Sequence, residues 1–481
     1  MSGSPVLEIL SNMLVVNRKD DKAVYVQLAE QISTAVKGEI VPPGCALPGT
    51  RQLAETLHLH RKTIVAVYDE LALQGIVTSI PNKGTFVNRD IVFDMLGSDG
   101  NSEGKSFPKK SKLSVPHNRI LETTAAKPCG DFVWDDGMPD LRLFQAERLG
   151  IAFAQVFGKK YSHSYSFLQY VLTQYFSELH NTSVEENQIH VVPNRKAAIA
   201  LTTLALLQKS DIVVVAEPGN YIVNMAVQQA GATLKTIPVE RDGIDLTLLE
   251  ELCKKQPIKM LYANPQNHYP TTTTMSYAKR LSLLRLANQY HFFIMEDETY
   301  SLYDFQKRKL PSLASLDTDG TVVYVHSFEQ VMRPDWNIAF VVAPQNVLQE
   351  IRKYSAYMGE DETSIAQGIV ASALQSGGLQ RLVRKNTKIY QERRNRFCQL
   401  LRTSWGEYTH FEVPQAGLGL WLQFAWDFNL SAFAKKCVVN GITIPSHLLY
   451  QSRRWTAMRI GYGRWEEEEM EALIGKGKAC F

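Results

Sequence analysis

The sequence predicts an α/β protein in two parts, a small helical head closed by a β-hairpin and a large body built on a mostly parallel sheet with helices on both faces. Three observations predict it. Between Tyr25 and Val87, three short amphipathic segments precede two β-branched runs joined by the tight Pro81-Asn82-Lys83-Gly84 turn. After Asp131, apolar β-branched runs alternate with helical segments, the pattern of strands buried on both faces. Between the two parts, GSDGNSEGKSFPKKSKLSVP (97–116) has hardly any apolar anchor to offset the entropy of ordering it, so it reads as a flexible tether. The expected boundaries are a head at 20–90, a linker at 91–130 and a body at 131–481.

A chain of 481 residues is long enough for two or three full cores. With 45% hydrophobic residues, 21% charged and a net charge of +3, its composition is that of an ordinary globular protein. The near-balance excludes a generally basic protein, so any nucleic-acid surface must be local. No apolar run approaches the roughly 18 to 20 residues of a membrane span. The opening MSGSPVLEIL lacks the basic and apolar regions of a secretory signal, which predicts a cytoplasmic protein. Cys45, Cys129, Cys253, Cys398, Cys437 and Cys480 are scattered, with no C-x-x-C pair and no histidine at zinc-ligand spacing. Free thiols and no metal site are expected.

In the head, Leu28, Ile32 and Ala35 form one face of a first helix, Tyr25 to Val36, ended by Pro42-Pro43-Gly44. A second helix follows Leu47-Pro48-Gly49-Thr50, with Thr50 as N-cap and Leu53, Ala54 and Leu57 inward. After the His58-Leu59-His60 turn, a third helix runs from Arg61 to about Gln74, burying Ile64, Val67, Tyr68 and Leu71 and ending at Gly75. Ile76 to Ile80 and Thr85 to Val87 make the hairpin. This order is a winged helix-turn-helix. Its third helix would enter a DNA major groove by its positive N-terminal end, presenting Arg61, Lys62 and Thr63. Arg51 would hold phosphate, and the Lys83-Gly84 wing tip would approach the backbone or minor groove. The alternative is a three-helix interaction domain whose basic residues are merely solvated.

In the body the expected strands are Ile189–Val192, Ile212–Ala216, Leu234–Val239, Lys259–Ala263, Phe292–Met295, Val322–His326 and Ile338–Val342. Ala197–Gln208, Leu246–Lys255 and Ser276–Tyr290 read as intervening helices. Further helices are expected around Gln380–Leu401, near Ala432–Asn440 and from Trp465 onward. Ligands in such sheets bind beyond the carboxyl ends of the strands.

Two stretches carry a resemblance. LPGTRQLAETLHLHRKTIVAVYDELALQGIV, from Leu47, together with NKGTF resembles the GntR-type DNA-binding head, with His60 where that family usually has a serine or threonine cap. VVYVHSFEQVMRPDWNIAFVVAP, from Val322 to Pro344, resembles the cofactor-lysine segment of fold-type-I aminotransferases fused to such heads, the MocR family of regulators. The resemblance implies a fold-type-I PLP-transferase-like domain with a small C-terminal α/β subdomain, and a head-to-tail homodimer. It implies pyridoxal phosphate as the cofactor of the fold and assigns pocket roles to several residues. Asp297 would face the pyridine nitrogen and Tyr221 would stack on the ring. Tyr269, in Asn264–Thr272, and Ser327 would line the pocket, and Arg459 would clamp a substrate carboxylate.

The departures from that pattern are chemical. The Schiff-base lysine is replaced by Gln330, whose amide is no nucleophile. Thr299 stands for the tyrosine that reaches the ring hydroxyl, and Thr272 for a glycine. The phosphate cup reads Asn194-Arg195-Lys196, with Glu329 for a serine and Asn337 for an arginine. A charge pair at about 4 Å is worth up to about 4 kcal/mol at an effective dielectric near 20. Pyridoxal phosphate is therefore expected to bind weakly and without a covalent bond, unless Arg195 and Lys196 point inward to restore the charge. The leading reading is a transcription regulator that binds an operator and whose body dimerises and senses a small anionic ligand, PLP-like or amino-acid-like, without catalysis. The alternatives are an active aminotransferase carrying a DNA-binding head, and a ligand-free dimerisation scaffold.

Overall fold

A computed structural model describes residues 5–17, 22–38, 40–81, 83–88, 118–121, 131–144, 164–306, 310–332, 337–359 and 365–481. The chain divides into two compact units, Met1–Val115 and Pro116–Phe481. The expected tether, and Arg333 to Trp336 of the cofactor-lysine segment, lie outside the described residues.

In the first unit, α1 (Pro5–Met13), α2 (Val24–Lys37), α3 (Thr50–Thr56) and α4 (Arg61–Leu73) precede the antiparallel hairpin of β1 (Val77–Ile80) and β2 (Gly84–Val87). The apolar faces expected for α2 and α4 close one core: Leu28, Ile32, Ala35, Ile64, Val67, Tyr68 and Leu71 are all buried. Helix α1 lies outside the sequence expectation. Its Leu10 and the following Leu14 enter the same core. The Thr50 N-cap is corrected: Gly49 is the cap and Thr50 the first helical residue, with no side-chain capping bond. Gly75 takes φ +70°, the left-handed conformation that glycine adopts without a Cβ penalty and that lets the chain leave α4 for the wing. Tyr68 Oη donates to Pro48 O at 2.7 Å and pins α4 against the start of α3.

The second unit begins, among its strands, with β3 (Phe132–Val133), followed by β4 (Ile189–Val192), β5 (Ile212–Glu217), β6 (Thr233–Glu240) and β7 (Gly243–Ile244). Strands β8 (Met260–Ala263), β9 (Phe293–Asp297), β10 (Val322–Ser327) and β11 (Ala339–Val342) come next. Eight of these form one sheet in the order β4-β11-β10-β9-β8-β5-β6-β7. Pairs β10/β9, β9/β8, β8/β5 and β5/β6 are parallel, whereas β11 runs antiparallel to both of its neighbours. Apolar clusters lie on both faces: Ile199, Leu201 and Leu348 pack on one, and Leu249, Leu283 and Leu313 elsewhere against the sheet. Each expected strand is present to within about two residues, because a strand buried on both faces is a continuous apolar run that announces itself.

A smaller subdomain follows. Strands β12 (Thr409–His410), β13 (Gly419–Phe424), β15 (Leu449–Gln451) and β16 (Thr456–Gly461) form an antiparallel sheet, while β14 (Ile442–Thr443) pairs in parallel with β3. Helices Gly378–Trp405, Leu430–Val439 and Glu467–Lys478 pack against it around Trp134, Phe397, Trp405 and Leu420. Cys45, Cys253, Cys398, Cys437 and Cys480 are free thiols; Cys129 lies outside the described residues. Among the described residues, no group of three or more His, Cys, Asp or Glu is placed to hold a metal, and no helix is long and apolar enough to cross a membrane.

Candidate functional site

Two surfaces concentrate chemistry, one on each unit. On the first, Arg51 projects from α3 and Arg61 and Lys62 from the first turn of α4, all exposed, with Thr63 half-buried beside them. The cap of α4 is secure: His60 Nδ1 accepts the Lys62 N–H at 3.2 Å, so an imidazole serves where a hydroxyl was expected. Arg61 Nε sits 3.5 Å from Thr50 Oγ1, a long contact that leaves most of the guanidinium uncommitted. At the wing, Lys83 is exposed and its N–H donates to Ile80 O at 3.1 Å, while Gly84 holds φ +114°. An L side chain would strain that backbone, so the tip stays slim enough to approach a duplex.

On the second unit the pocket forms where the parallel strands end. Asp297 closes β9 and Ser327 closes β10. Asn264 follows β8, and Arg195 opens the helix Arg195–Leu206 just past β4. That helix starts two residues earlier than expected because Asn194 Oδ1 accepts the Ala197 N–H at 3.0 Å. Capping fixes the direction of Arg195, which is 4% exposed and turned inward. Its Nη1 donates to Asp297 Oδ2 at 3.1 Å and its Nη2 to Tyr300 Oη at 2.7 Å. Nε lies 3.2 Å from Glu329 Oε1, an ion-pair distance at which the N–H is not aimed well enough for a hydrogen bond. The guanidinium also stands over the Tyr300 ring, 4.8 Å from its centroid. Burial opposes the Arg195 charge, yet Tyr300, Glu329 and Asp297 together hold its pKa well above the ordinary value. Burial raises the Glu329 carboxyl above its usual range, with Arg195 pulling it back.

Asp297 is thus engaged at both oxygens. Tyr262 Oη donates to its Oδ2 at 2.7 Å and the Thr299 N–H to its Oδ1 at 3.0 Å. Thr299 stands where the resemblance has a tyrosine, and the next residue, Tyr300, brings a phenol to Arg195. Thr299 Oγ1 is buried with no protein partner. Lys196, the other cation of the expected phosphate cup, is exposed. Ser327 Oγ donates to Asn337 Oδ1 at 3.2 Å and accepts the Glu329 N–H at 3.2 Å, so the pair that would face a phosphate bond to one another. Gln330 follows on the same turn. Tyr303 Oη donates to its carbonyl at 3.2 Å, while both polar atoms of its side chain are buried without a protein partner.

Arg459, from β16, is fully buried. Its Nε donates to Asp136 O at 2.8 Å and its Nη1 to Pro270 O at 2.9 Å, so it is held by backbone carbonyls rather than by a carboxylate. The guanidinium lies 4.7 Å from the Tyr269 centroid and 5.5 Å from that of Tyr300, and these two rings stack at 5.3 Å. Nη2 is left with no protein partner. Tyr269 Oη donates to Asp136 Oδ2 at 3.1 Å. His268 is kept neutral by burial and by Arg459, its pKa lowered to about 3. Thr272 takes φ +61°, an outlier for a β-branched side chain at the position where the resemblance has a glycine. Tyr221 is half-buried and packs at 5.3 Å on His447. Of the residues singled out for the pocket, Asp297, Tyr269 and Arg459 share this cluster; Arg195, Tyr262 and Tyr300 complete it.

These residues do not fit pyridoxal phosphate as they are arranged. A pyridinium at Asp297 would meet Arg195 already there, and Glu329 and Asn337 stand where the resemblance has a serine and an arginine, so that part of the cup gains a carboxylate and loses a cation. No lysine among the described residues is buried.

Comparison with known proteins places both units. Residues 146–476 match the family model "Aminotransferase class I and II", and residues 24–87 match "Bacterial regulatory proteins, gntR family". The chain is similar to the probable rhizopine catabolism regulatory protein MocR of Rhizobium meliloti, 24% identical with 98% of this chain and 96% of that protein covered. It is also similar to the HTH-type transcriptional regulator YisV of Bacillus subtilis, 22% identical over 95% of this chain and 96% of that protein. An archaeal alanine:glyoxylate aminotransferase structure superposes with TM-score 0.68 at 22% identity, covering 74% of this chain and 91% of that one. The α-aminoadipate aminotransferase LysN of Thermus thermophilus, whose structure holds N-(5'-phosphopyridoxyl)-L-leucine, superposes with TM-score 0.66 at 20% identity over 73% and 92% of the two chains. The fold is therefore that of pyridoxal-phosphate enzymes. The chain belongs to the aminotransferase class I and II family and carries, ahead of that domain, a head of the bacterial gntR regulatory family.

Proposed function

We infer that this protein is a DNA-binding transcription regulator whose aminotransferase-like body dimerises and answers to a small carboxylate without covalent chemistry. The observation that carries the non-catalytic part is the partner of Asp297, a guanidinium of the chain itself, in a pocket with no buried lysine among the described residues. Arg459 supports the sensing part. Two of its nitrogens are positioned by backbone and the third faces no protein acceptor, which suits a planar, charged carboxylate. Paired bodies would present two heads and require two operator half-sites, about 34 Å apart or a multiple of it. For a signal to pass, the ligand must favour one arrangement of the heads over another.

The head is tested by Arg61→Ala on operator DNA recovered by selection with the purified protein. Loss of one groove-facing guanidinium should weaken binding by about 1–3 kcal/mol, roughly 10- to 100-fold, and flatten its salt dependence. Unchanged affinity would remove α4 from the groove. The body is tested by incubating the protein with pyridoxal phosphate and borohydride. Beyond the labelling that exposed lysines give with any aldehyde, no pyridoxyl group should become fixed in the pocket and no amino-acid turnover should appear; a stoichiometric adduct on one lysine beside Asp297 together with turnover would establish an enzyme instead.

A further inference from the structure

We propose that Arg195 is this chain's own replacement for the cofactor's cation, a resident guanidinium that occupies Asp297 and keeps the pocket shut to pyridoxal compounds. The proposal rests on the non-covalent reading above, but goes beyond the loss of an amine: the pocket is filled by the chain itself, not merely disarmed. By the resemblance, the carboxylate at the end of β9 would serve a planar, positively charged ring. Here Asp297 Oδ2 receives Arg195 Nη1 at 3.1 Å and Tyr262 Oη at 2.7 Å, and Oδ1 receives the Thr299 N–H at 3.0 Å. An ionised carboxyl has about four lone-pair sites. Three are used by protein groups.

The guanidinium is suited to this place. It is planar, permanently charged and weakly hydrated, and its Cζ stands over the Tyr300 ring, 4.8 Å from the centroid. Its other edge reaches Tyr300 Oη and Glu329 Oε1. Glu329 therefore balances the plug. A pyridoxal phosphate molecule entering this pocket would have to break the Asp297 and Tyr300 bonds and bring its phosphate toward Glu329, which Arg195 would no longer neutralise. The same three side chains that make the plug stable make the cofactor unwelcome.

Chemical rescue separates this from a merely structural ion pair. Arg195→Ala should lower the body's Tm by about 5 °C or more, and millimolar N-methylguanidinium should restore most of that loss. The wild-type protein should not respond to it. Neither should the Arg195→Ala, Asp297→Asn double variant, which lacks the carboxylate. Tetramethylammonium, a cation without in-plane donors, should rescue nothing. Pyridoxal phosphate should leave the wild-type Tm unmoved; in the Arg195→Ala, Glu329→Ser double variant, which lacks both the plug and the carboxylate that would repel a phosphate, it should raise the Tm in a saturable way and compete with N-methylguanidinium. If Arg195→Ala cannot be folded, Arg195→Gln, which is uncharged and stops short of the Nη1 and Nη2 positions, takes its place in each variant and should show the same responses. Saturable pyridoxal phosphate stabilisation of the wild type, or a variant that N-methylguanidinium stabilises no better than tetramethylammonium, would overturn the proposal. Borohydride fixation reports an amine whereas guanidinium rescue reports the partner of Asp297, so the two readings fail separately.

Discussion

Replacing Asp297 with alanine is expected to destabilise the body by about 3–5 kcal/mol, the cost of leaving a buried charge without its partner. Arg195 is 4% exposed and its remaining anionic contact, Glu329, lies 3.2 Å from Nε without hydrogen-bond alignment. Tyr262 Oη would lose its acceptor at the same time. Removing both charges should cost much less than removing one, because an apolar replacement needs no partner, so Arg195→Met in the Asp297→Ala background should recover most of the loss. All seven tryptophans lie in the body, so tryptophan fluorescence during urea unfolding reports this unit alone. A double-variant loss equal to the sum of the Asp297→Ala and Arg195→Met losses would mean that the two side chains act independently.

A second large effect is expected from one methyl group. At the end of β16, a Cβ on Gly461 would land on Asp135 Oδ1, 2.6 Å from Gly137 N and 3.0 Å from Gly137 Cα. The turn cannot yield easily, because the Gly461 N–H donates to Asp135 O at 2.7 Å and Asp135 Oδ1 accepts the Gly137 and Met138 N–H groups at 2.8 Å. It also carries Asp136, whose carbonyl holds Arg459 Nε and whose carboxylate holds Tyr269. Gly461→Ala should therefore cost about 3 kcal/mol by overpacking and abolish any thermal shift produced by carboxylate ligands. Gly475 is the control: it is an exposed helical glycine with nothing within 4 Å, and alanine there should stabilise by about 1 kcal/mol. A Gly461→Ala protein as stable and as responsive as the wild type would show that the turn can move without disturbing Arg459.

Much of this molecule was legible before any coordinates. The buried strands read directly as β-branched runs, and the helix faces of the head read from spacing alone. Errors fell where a single side chain or cap decides. Thr50 looked like a cap but Gly49 takes that place, and His60 looked like a loss but its imidazole accepts the same N–H. Helix α1 was missed, although Leu7, Leu10 and Leu14 carry a helical spacing that would have found it.

The pocket divides along the same line. By itself the sequence determined the architecture and singled out Asp297, Tyr269 and Arg459, because these depend on local pattern and residue chemistry. Only the tertiary structure decided where Arg195 points. Its guanidinium reaches across 102 positions of sequence to Asp297 and 105 to Tyr300. Asn194 caps the helix that starts it, while β4 and β9 are separated in the sheet by β11 and β10. Whether a long cation lies in solvent or in a pocket is settled by the carboxylates that folding gathers around it, and no local pattern records that meeting.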